Sequence, residues 1–425
     1  MSSLVVLGHD GSPPGGEARE LLERASLVVG GARHLAAMPV PEGVRTVVMG
    51  ELRPALDAID AELDRDDDQG RVVVVASGDP GFFGIVRALR KRGRRPRVIP
   101  ALSSVARAFA RAGLPWDDAL VVSAHGRELR RAVNACRAHP KVAVLTAPGS
   151  GPAELARELF PQTPRTFVVC EDLGGPHERV VSVRPAEATT RPWRDPNVVL
   201  VLDPRRVAAG GEPGWIAGPR PGPSEWALPD AAFGPGRPVF GPEVRAFALA
   251  KLGPRIGDMV WDVGAGRGEV AIECARFGAA VVAVEKDEAA CERIRANVRA
   301  HRVKVAVSRG TAPGVLDHLP EPDAVFVGGG GPEVARVCAS RALRSVVIVL
   351  HRADRVQAAI EAIKRASLTA HAVRLQAGLV GRSPTGVFVV WGERRVDDRS
   401  VARPVRREAP PSVTIAPLPE PGGLR

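Results

Sequence analysis

Short apolar runs alternate with helix-period segments along most of this chain. Runs of apolar residues bounded by Gly, Pro or polar clusters read as buried strands. Segments with apolar residues three or four apart read as amphipathic helices. In the first half, strands are predicted at Leu4–Leu7, Leu27–Val29, Val72–Ala76, Arg97–Ile99, Leu120–Val122, Val142–Thr146, Thr166–Val169 and Val198–Leu202. Amphipathic helices fit between several of them, for example Gly16–Arg24 and Val86–Lys91. This alternation is the pattern of α/β domains. The segment 204–238 breaks it, being dense in Pro and Gly, and reads as a linker. Trp215, Trp226 and Phe233 within it predict docking onto a neighbouring domain, because aromatic side chains rarely stay in solvent when a surface is near. A second α/β pattern starts near Pro242 and runs to about Trp391, while the Arg- and Pro-rich stretch 394–425 predicts a disordered tail. The expected division is therefore a first domain at 1–203, a linker at 204–238, a second domain at 239–393 and the tail. The two halves are unlike in sequence.

Composition narrows the picture only a little. A length of 425 residues suits two or three domains of about 100–200 residues. No 18-residue apolar run predicts a membrane span and the start lacks a signal-peptide pattern, so a cytoplasmic protein is the expectation. Cys136, Cys170, Cys274, Cys291 and Cys338 are scattered, without a C-x-x-C pair or zinc spacing. Buried reduced thiols and no metal are expected. The net charge of +11 raises a nucleic-acid partner, but only six of the 59 basic residues are lysine and tyrosine is absent, as in the coding bias of a GC-rich genome. The charge is equally compatible with a multiply carboxylated ligand.

The clearest constellation in the second half lies at 258–287. A predicted strand, Met259–Val263, runs into Gly264, Ala265, Gly266, Arg267 and Gly268, and a helix begins near Glu269. Glycines let the backbone approach a ligand closely, and the helix start offers unpaired N–H donors. The next strand, Val281–Val284, ends at Glu285, where a carboxylate can accept both hydroxyl hydrogens of a ribose. The G-x-G-x-G spacing resembles the first motif of class I S-adenosylmethionine methyltransferases. An NAD-binding domain is the alternative reading. The resemblance further implies adenine contacts at Thr311 and Ala312, after Gly310. Gly328–Gly331 stands where N-methylating enzymes carry an Asn/Asp-Pro-Pro-Tyr motif. It leaves room for a broad substrate, or is simply a flexible loop.

The first half carries Ser77-Gly78-Asp79-Pro80-Gly81-Phe82-Phe83-Gly84, then Ser103-Ser104, then Ser123-Ala124-His125-Gly126-Arg127, and later Glu171-Asp172-Leu173-Gly174-Gly175-Pro176. Together these are similar to the tetrapyrrole methylase family, the class III methyltransferases. In that family the Gly-Asp-Pro loop, the Ser-Ser turn and a late strand line the cofactor cleft. The resemblance thus implies S-adenosylmethionine contacts at Gly78, Asp79, Pro80, Phe83, Ser103, Ser104, Thr146 and Glu171. Asp79 has the competing reading of a helix cap, and Glu171 that of a salt-bridge partner. The combination of motifs, with Glu243-Val244-Arg245 and the glycine loop of the second half, resembles the precorrin-6Y C(5,15)-methyltransferase family over about residues 4–392. The fold class implied is α/β throughout: a two-lobed tetrapyrrole methylase fold, then a Rossmann-like class I methyltransferase fold. Two departures stand out. Phe240-Gly241 replaces an expected Thr-Lys, and the stretch before Val387 is short.

What the resemblance implies is S-adenosylmethionine-dependent C-methylation of a polycarboxylated tetrapyrrole, with one cofactor site per domain. The first domain would methylate C-5. The second would methylate C-15 and promote loss of the C-12 acetate carboxyl group, giving precorrin-8 in cobalamin biosynthesis. Meso carbons of a reduced tetrapyrrole are enamine-like nucleophiles, so alignment and exclusion of water matter more than a strong base. His125 and Arg127 are candidates for substrate contact in the first domain and Arg245 in the second, arginine being suited to bidentate carboxylate binding. The rival readings are turn and helix-surface residues without such a role. No nucleic acid, no membrane and a homo-oligomer are expected. Rival functions are an RNA methyltransferase and a corrinoid-binding protein with a decayed second domain.

Overall fold

Continuous Val- and Leu-rich runs are the mark of strands buried on both faces, and here they build three sheets. The structure, a computed structural model, describes residues 3–65, 71–161, 163–208, 217–218, 222–236, 238, 240–377 and 385–394. Trp215, residues 378–384 before Val387 and all but the first residue of the expected tail lie outside the described residues.

The first sheet comes from β1 (Leu4–His9), β2 (Leu27–Gly30), β3 (Arg45–Val48), β4 (Val72–Ser77) and β5 (Arg97–Ile99). Helices α1 (Gly16–Glu23), α2 (Ala32–Ala37), α3 (Leu52–Leu63) and α4 (Val86–Lys91) connect them. The strands are all parallel in the order β3-β2-β4-β1-β5. Leu4 and Val6 face one core cluster, Val5 and Leu7 the other.

The second sheet follows helix α5 (Ser104–Ala112). It holds β6 (Leu120–Ser123), β7 (Lys141–Leu145), β8 (Thr166–Glu171), β9 (Arg179–Val183) and β10 (Asn197–Leu202), ordered β6-β7-β10-β8-β9. Its helices are α6 (Leu129–Ala138), α7 (Pro152–Leu159), α8 (Pro185–Ala188) and α9 (Pro204–Ala208). Strand β10 runs antiparallel to both neighbours.

The third sheet is laid down by α10 (Pro242–Leu252), β11 (Met259–Val263), α11 (Glu269–Arg276), β12 (Ala280–Glu285), α12 (Glu288–Ala300) and β13 (Ala306–Arg309). It is completed by β14 (Ala324–Val327), α13 (Gly331–Arg341), β15 (Ser345–Leu350), α14 (Val356–Arg365), β16 (Thr369–Ala377) and β17 (Thr385–Glu393). The order is β13-β12-β11-β14-β15-β17-β16, with β17 antiparallel to β15 and β16.

Two connections fix the larger architecture. Part of the Pro/Gly-rich segment straps onto the third-sheet unit. The Leu228 amide donates to Glu273 Oε1 at 2.7 Å, Asn297 Nδ2 donates to the Phe233 carbonyl at 3.1 Å, and Phe233 is buried. Trp226 stays half exposed, 6.3 Å from the Phe277 ring. Helix α6 also docks against the amino ends of the third sheet. Arg130 binds Asp323 through two hydrogen bonds of 2.6 and 2.8 Å, and the buried Asn134 amide donates to the Gly257 carbonyl at 3.1 Å. All five cysteines are buried and unpaired. No helix among the described residues is long and apolar enough to cross a membrane.

Candidate functional site

In open α/β sheets, ligands sit beyond the carboxyl ends of the strands where the strand order reverses. In the first sheet that point lies between β1 and β4, whose last residues, His9 and Ser77, are register partners. The Gly78 amide donates to the His9 carbonyl at 2.8 Å. A Cβ on Gly8 would fall 2.2 Å from the Gly78 carbonyl, and one on Gly78 would fall 3.1 Å from Ser103 Cα. Gly78 itself has φ +56°, which favours glycine. The loops after β1 and β4 and the Ser103-Ser104 turn therefore meet at backbone contact. Ser103 caps α5 by accepting from the Ala106 amide. Asp79 accepts from the Gly81 amide at 2.8 Å and so closes its own loop.

The second sheet's unit closes over this crevice. Gly11 and Gly174 abut, and Arg107 joins the Asp10 carboxylate at 2.8 Å. Arg127, on the loop after β6, lies over the Phe83 ring at 5.5 Å, which brings together two residues singled out from sequence. His125 is exposed on the same loop. Thr146 and Glu171 are otherwise engaged. The Thr146 hydroxyl is held by Asn197, and the buried Glu171 carboxylate takes Arg179 on one oxygen and the Arg194 amide on the other. Not foreseen from sequence is a group at the floor of the crevice. His34 Nε2 and Arg33 both bond the Ser77 hydroxyl, at 3.1 and 2.9 Å, with the His9 ring 5.8 Å from that of His34. A histidine and an arginine after a Gly-Gly pair carry no distinctive spacing, so only the fold reveals them.

The second crevice lies at the carboxyl ends of β11, β12 and β14. Gly264 (φ +76°) passes so close to the loop after β14 that a Cβ there would sit 3.0 Å from the Gly329 amide nitrogen. The Gly266 amide donates to Glu285 Oε2 at 3.0 Å, and Glu285 Oε1 takes the Lys286 and Asp287 amides. Glu285 is thus fixed at the strand end with one lone-pair position, on Oε2, left over. Thr311 and Ala312 follow β13 beside it, the Gly310 amide donating to the Glu285 carbonyl. Asp262, missed in the sequence reading, accepts from the Ala271 amide with Oδ2, while Oδ1 is buried without a partner among the described residues. Burial pushes its carboxyl up to about 7, with Glu269 and Glu285 adding to the rise against the Ala271 hydrogen bond. A small cavity lined by Asp262, Gly264, Phe240 and Phe326 adjoins it.

Two other residues point inward to structure. Arg267 is buried, paired with Glu269 at 2.8 Å and bonded to the Gly234 and Gly236 carbonyls. Arg245 is fully buried beside Glu273 (3.4 Å) and over Phe233 (4.9 Å), donates to the Leu228 carbonyl, and borders the small cavity. A larger cavity of about 250 Å³ opens past β14 and β15, lined by Gly328–Gly331, His351, Arg352 and Arg355.

Comparison with known proteins gives a consistent picture. A family model described as tetrapyrrole (corrin/porphyrin) methylases matches residues 13–189, and one described as a precorrin methyltransferase domain matches residues 234–394. A precorrin-6Y C(5,15)-methyltransferase (decarboxylating) from a Sinorhizobium species is 35% identical over 345 residues, covering 78% of this chain and 79% of the relative. A cobalt-precorrin-7 C(5)-methyltransferase of Salmonella typhimurium is 34% identical over 194 residues, 44% of this chain and 91% of the relative. A probable cobalt-precorrin-6B C(15)-methyltransferase (decarboxylating) of Pyrobaculum calidifontis is 33% identical over 179 residues, 40% of this chain and 86% of the relative.

Proposed function

The chain belongs to the decarboxylating precorrin-6Y C(5,15)-methyltransferases, and on that premise we propose a division of labour between its two crevices. It is an S-adenosylmethionine-dependent methyltransferase of cobalamin biosynthesis acting on precorrin-6Y. In the proposed division, residues 1–203 methylate C-5. Residues 239–393, with 226–236 strapped onto them, methylate C-15 and promote loss of the C-12 acetate carboxyl group. Each crevice binds one S-adenosylmethionine, and the partner is a polycarboxylated tetrapyrrole, without nucleic acid, membrane or metal. The working form is a homo-oligomer in the cytoplasm.

The observation that carries this reading is the presence of two glycine-floored crevices on unlike sheets. In one, Asp262 Oδ1 is an orphaned buried acceptor next to Gly264. An ammonium group is the partner such an oxygen lacks, and the amino-acid end of S-adenosylmethionine has one. The cradle therefore fits the cofactor: Gly264 and Gly266 would admit its close approach to the backbone, and Glu285 would hold the ribose. When bound, S-adenosylmethionine supplies an electrophilic methyl group on a sulfonium. The chain's own work is placement and exclusion of water, which converts the encounter into an aligned displacement. Arg127 stacked on Phe83, and Arg355 at the cavity where Arg352 is shared with Asp354, offer cationic seats for the substrate's carboxylates. A cation stabilises a carboxylate and so opposes loss of carbon dioxide. The cavity therefore suits an arm that is retained, while the conjugated imine of the macrocycle serves as the electron sink for the arm that leaves.

The test is mass spectrometry of the product from precorrin-6Y and S-adenosylmethionine without oxygen. Gain of two methyl groups with loss of one carbon dioxide is expected. One methyl without decarboxylation would mean that the second domain is impaired, with Phe240-Gly241 as the place to look.

A further inference from the structure

Methylation of a meso carbon leaves a hydrogen that must depart as a proton, and the cofactor contacts assigned to the first crevice do not account for its removal. Ser77 is the last residue of β4, immediately before Gly78-Asp79-Pro80, and is exposed at the switch point of the sheet. An arginine can only donate, so the 2.9 Å contact from Arg33 Nη2 makes Ser77 Oγ an acceptor there. The hydroxyl hydrogen is then free to point to His34 Nε2, 3.1 Å away. His34 is 9% exposed and therefore fixed in place.

We infer that Ser77 and His34 form a proton relay for the first crevice, Ser77 touching the substrate and His34 acting through it. The inference rests on the proposed C-5 methylation by this domain. In the step, the meso C–H bond of the newly methylated carbon breaks and its electron pair returns to the conjugated macrocycle. The proton passes to Ser77 Oγ as the Ser77 hydroxyl proton passes to His34 Nε2, and from there it is lost to water.

The surroundings keep His34 neutral. Its burial, then Arg33 and His9, lower its pKa to about 4. Among the elements packed on α2, strand β2 is apolar, the one charged residue of β3, Arg45, lies 3.5 Å from Glu62, and β4 contributes Ser77. His9 is flanked by Asp10, and Arg33 feels the negative charge of Asp172 of the second sheet's unit. A weak base suffices, because a methylated meso carbon conjugated to an iminium is a strong carbon acid. The same weakness lets the imidazolium release its proton quickly.

The experiment has one readout without ligand and one with it. In the cofactor-free protein, NMR titration should place the His34 ring near pH 4 in the wild type. The midpoint should move up by about one unit in Arg33→Ala, because a cation beside the ring is removed. In single turnover, Ser77→Ala and His34→Ala should slow release of the C-5 hydrogen, followed as deuterium lost from precorrin-6Y labelled at that meso position, by about 10²-fold or more while C-15 methylation and cofactor affinity stay unchanged. Added imidazole should restore part of the release rate of His34→Ala but none of Ser77→Ala, and the acid limb of this proton release should rise in Arg33→Ala. Wild-type rates of C-5 hydrogen release in the variants, or a loss explained by weaker cofactor binding, would overturn the relay. Should the wild type methylate no precorrin at all, the functional reading itself falls and the relay with it.

Discussion

Asp262 shows how much one buried oxygen can decide. The folded chain holds its proton up to about pH 7, whereas an unfolded aspartate releases it near the ordinary value of about 4. The folded state thus binds the extra proton in that window, and cofactor-free stability falls as the pH rises from about 4 to 7. Asp262→Asn should flatten this slope in thermal denaturation followed across pH. The same substitution should weaken S-adenosylmethionine binding at the second crevice by about 10–100-fold in calorimetry, the worth of a hydrogen bond to a charged group. At this scale the glycines and Glu285 were legible because their meaning is local: a loop spacing and a strand end. Asp262 and the partners of Arg267 were not, since Ala271 and Gly234 are brought to them by tertiary proximity, while Glu171 takes the salt-bridge alternative through Arg179.

At the scale of elements, α10 and the strap before it act as a unit. Arg245 sits between Glu273, Asp230 and the Phe233 ring, with two of its nitrogens within ion-pair reach but not in hydrogen-bond geometry. Removing Arg245 takes a guanidinium from the fully buried Glu273 carboxylate, which keeps only the Leu228 amide and the half-buried Arg276 beside it. Arg245→Ala should therefore destabilise the second domain by about 3–5 kcal/mol in chemical denaturation and expose residues 226–236 to limited proteolysis. Arg245→Met combined with Glu273→Gln should cost less, because both charges leave together. Every strand predicted in the first half is present, and most are continuous apolar runs buried on both faces, as β1, β2, β4 and β10 show. Strands β3 and β9 went unread because they are exposed edges, whereas the edge strands β5 and β6 keep a short, partly buried apolar run. Arg45–Val48 is largely exposed and Arg179–Val183 is buried only at its last residue, so neither carries a clean period.

For the whole molecule, the governing contact is α6 on the amino ends of the third sheet. It leaves the second crevice, at the carboxyl ends of the same strands, facing away from the junction. Burial opposes ionisation of Asp323, but hydrogen bonds from Arg130 and the Met259 amide outweigh it and hold the carboxyl below its ordinary value. A depressed carboxylate stabilises above its unfolded pKa and loses that contribution as the pH falls through the folded value. The junction should therefore loosen on acidification below about pH 4. Arg130→Ala should loosen it at neutral pH, at a cost of about 1–3 kcal/mol given the partial exposure of the arginine. Calorimetry should then resolve two unfolding transitions, each domain keeping its cofactor affinity.

The sequence by itself determined the α/β class, the two unlike domains, the glycine loops and the family. Each of these is written in short-range periodicity, or in motifs whose residues lie within one strand–loop–helix unit. Only the tertiary structure decided which polar groups are free to act. Arg245 and Arg267 proved to be anchors of the strap, and Ser77 at the end of β4 came together with Arg33 and His34 of α2. Whether a charge meets a ligand or a neighbouring carboxylate depends on burial and on partners far along the chain, and no local pattern encodes that.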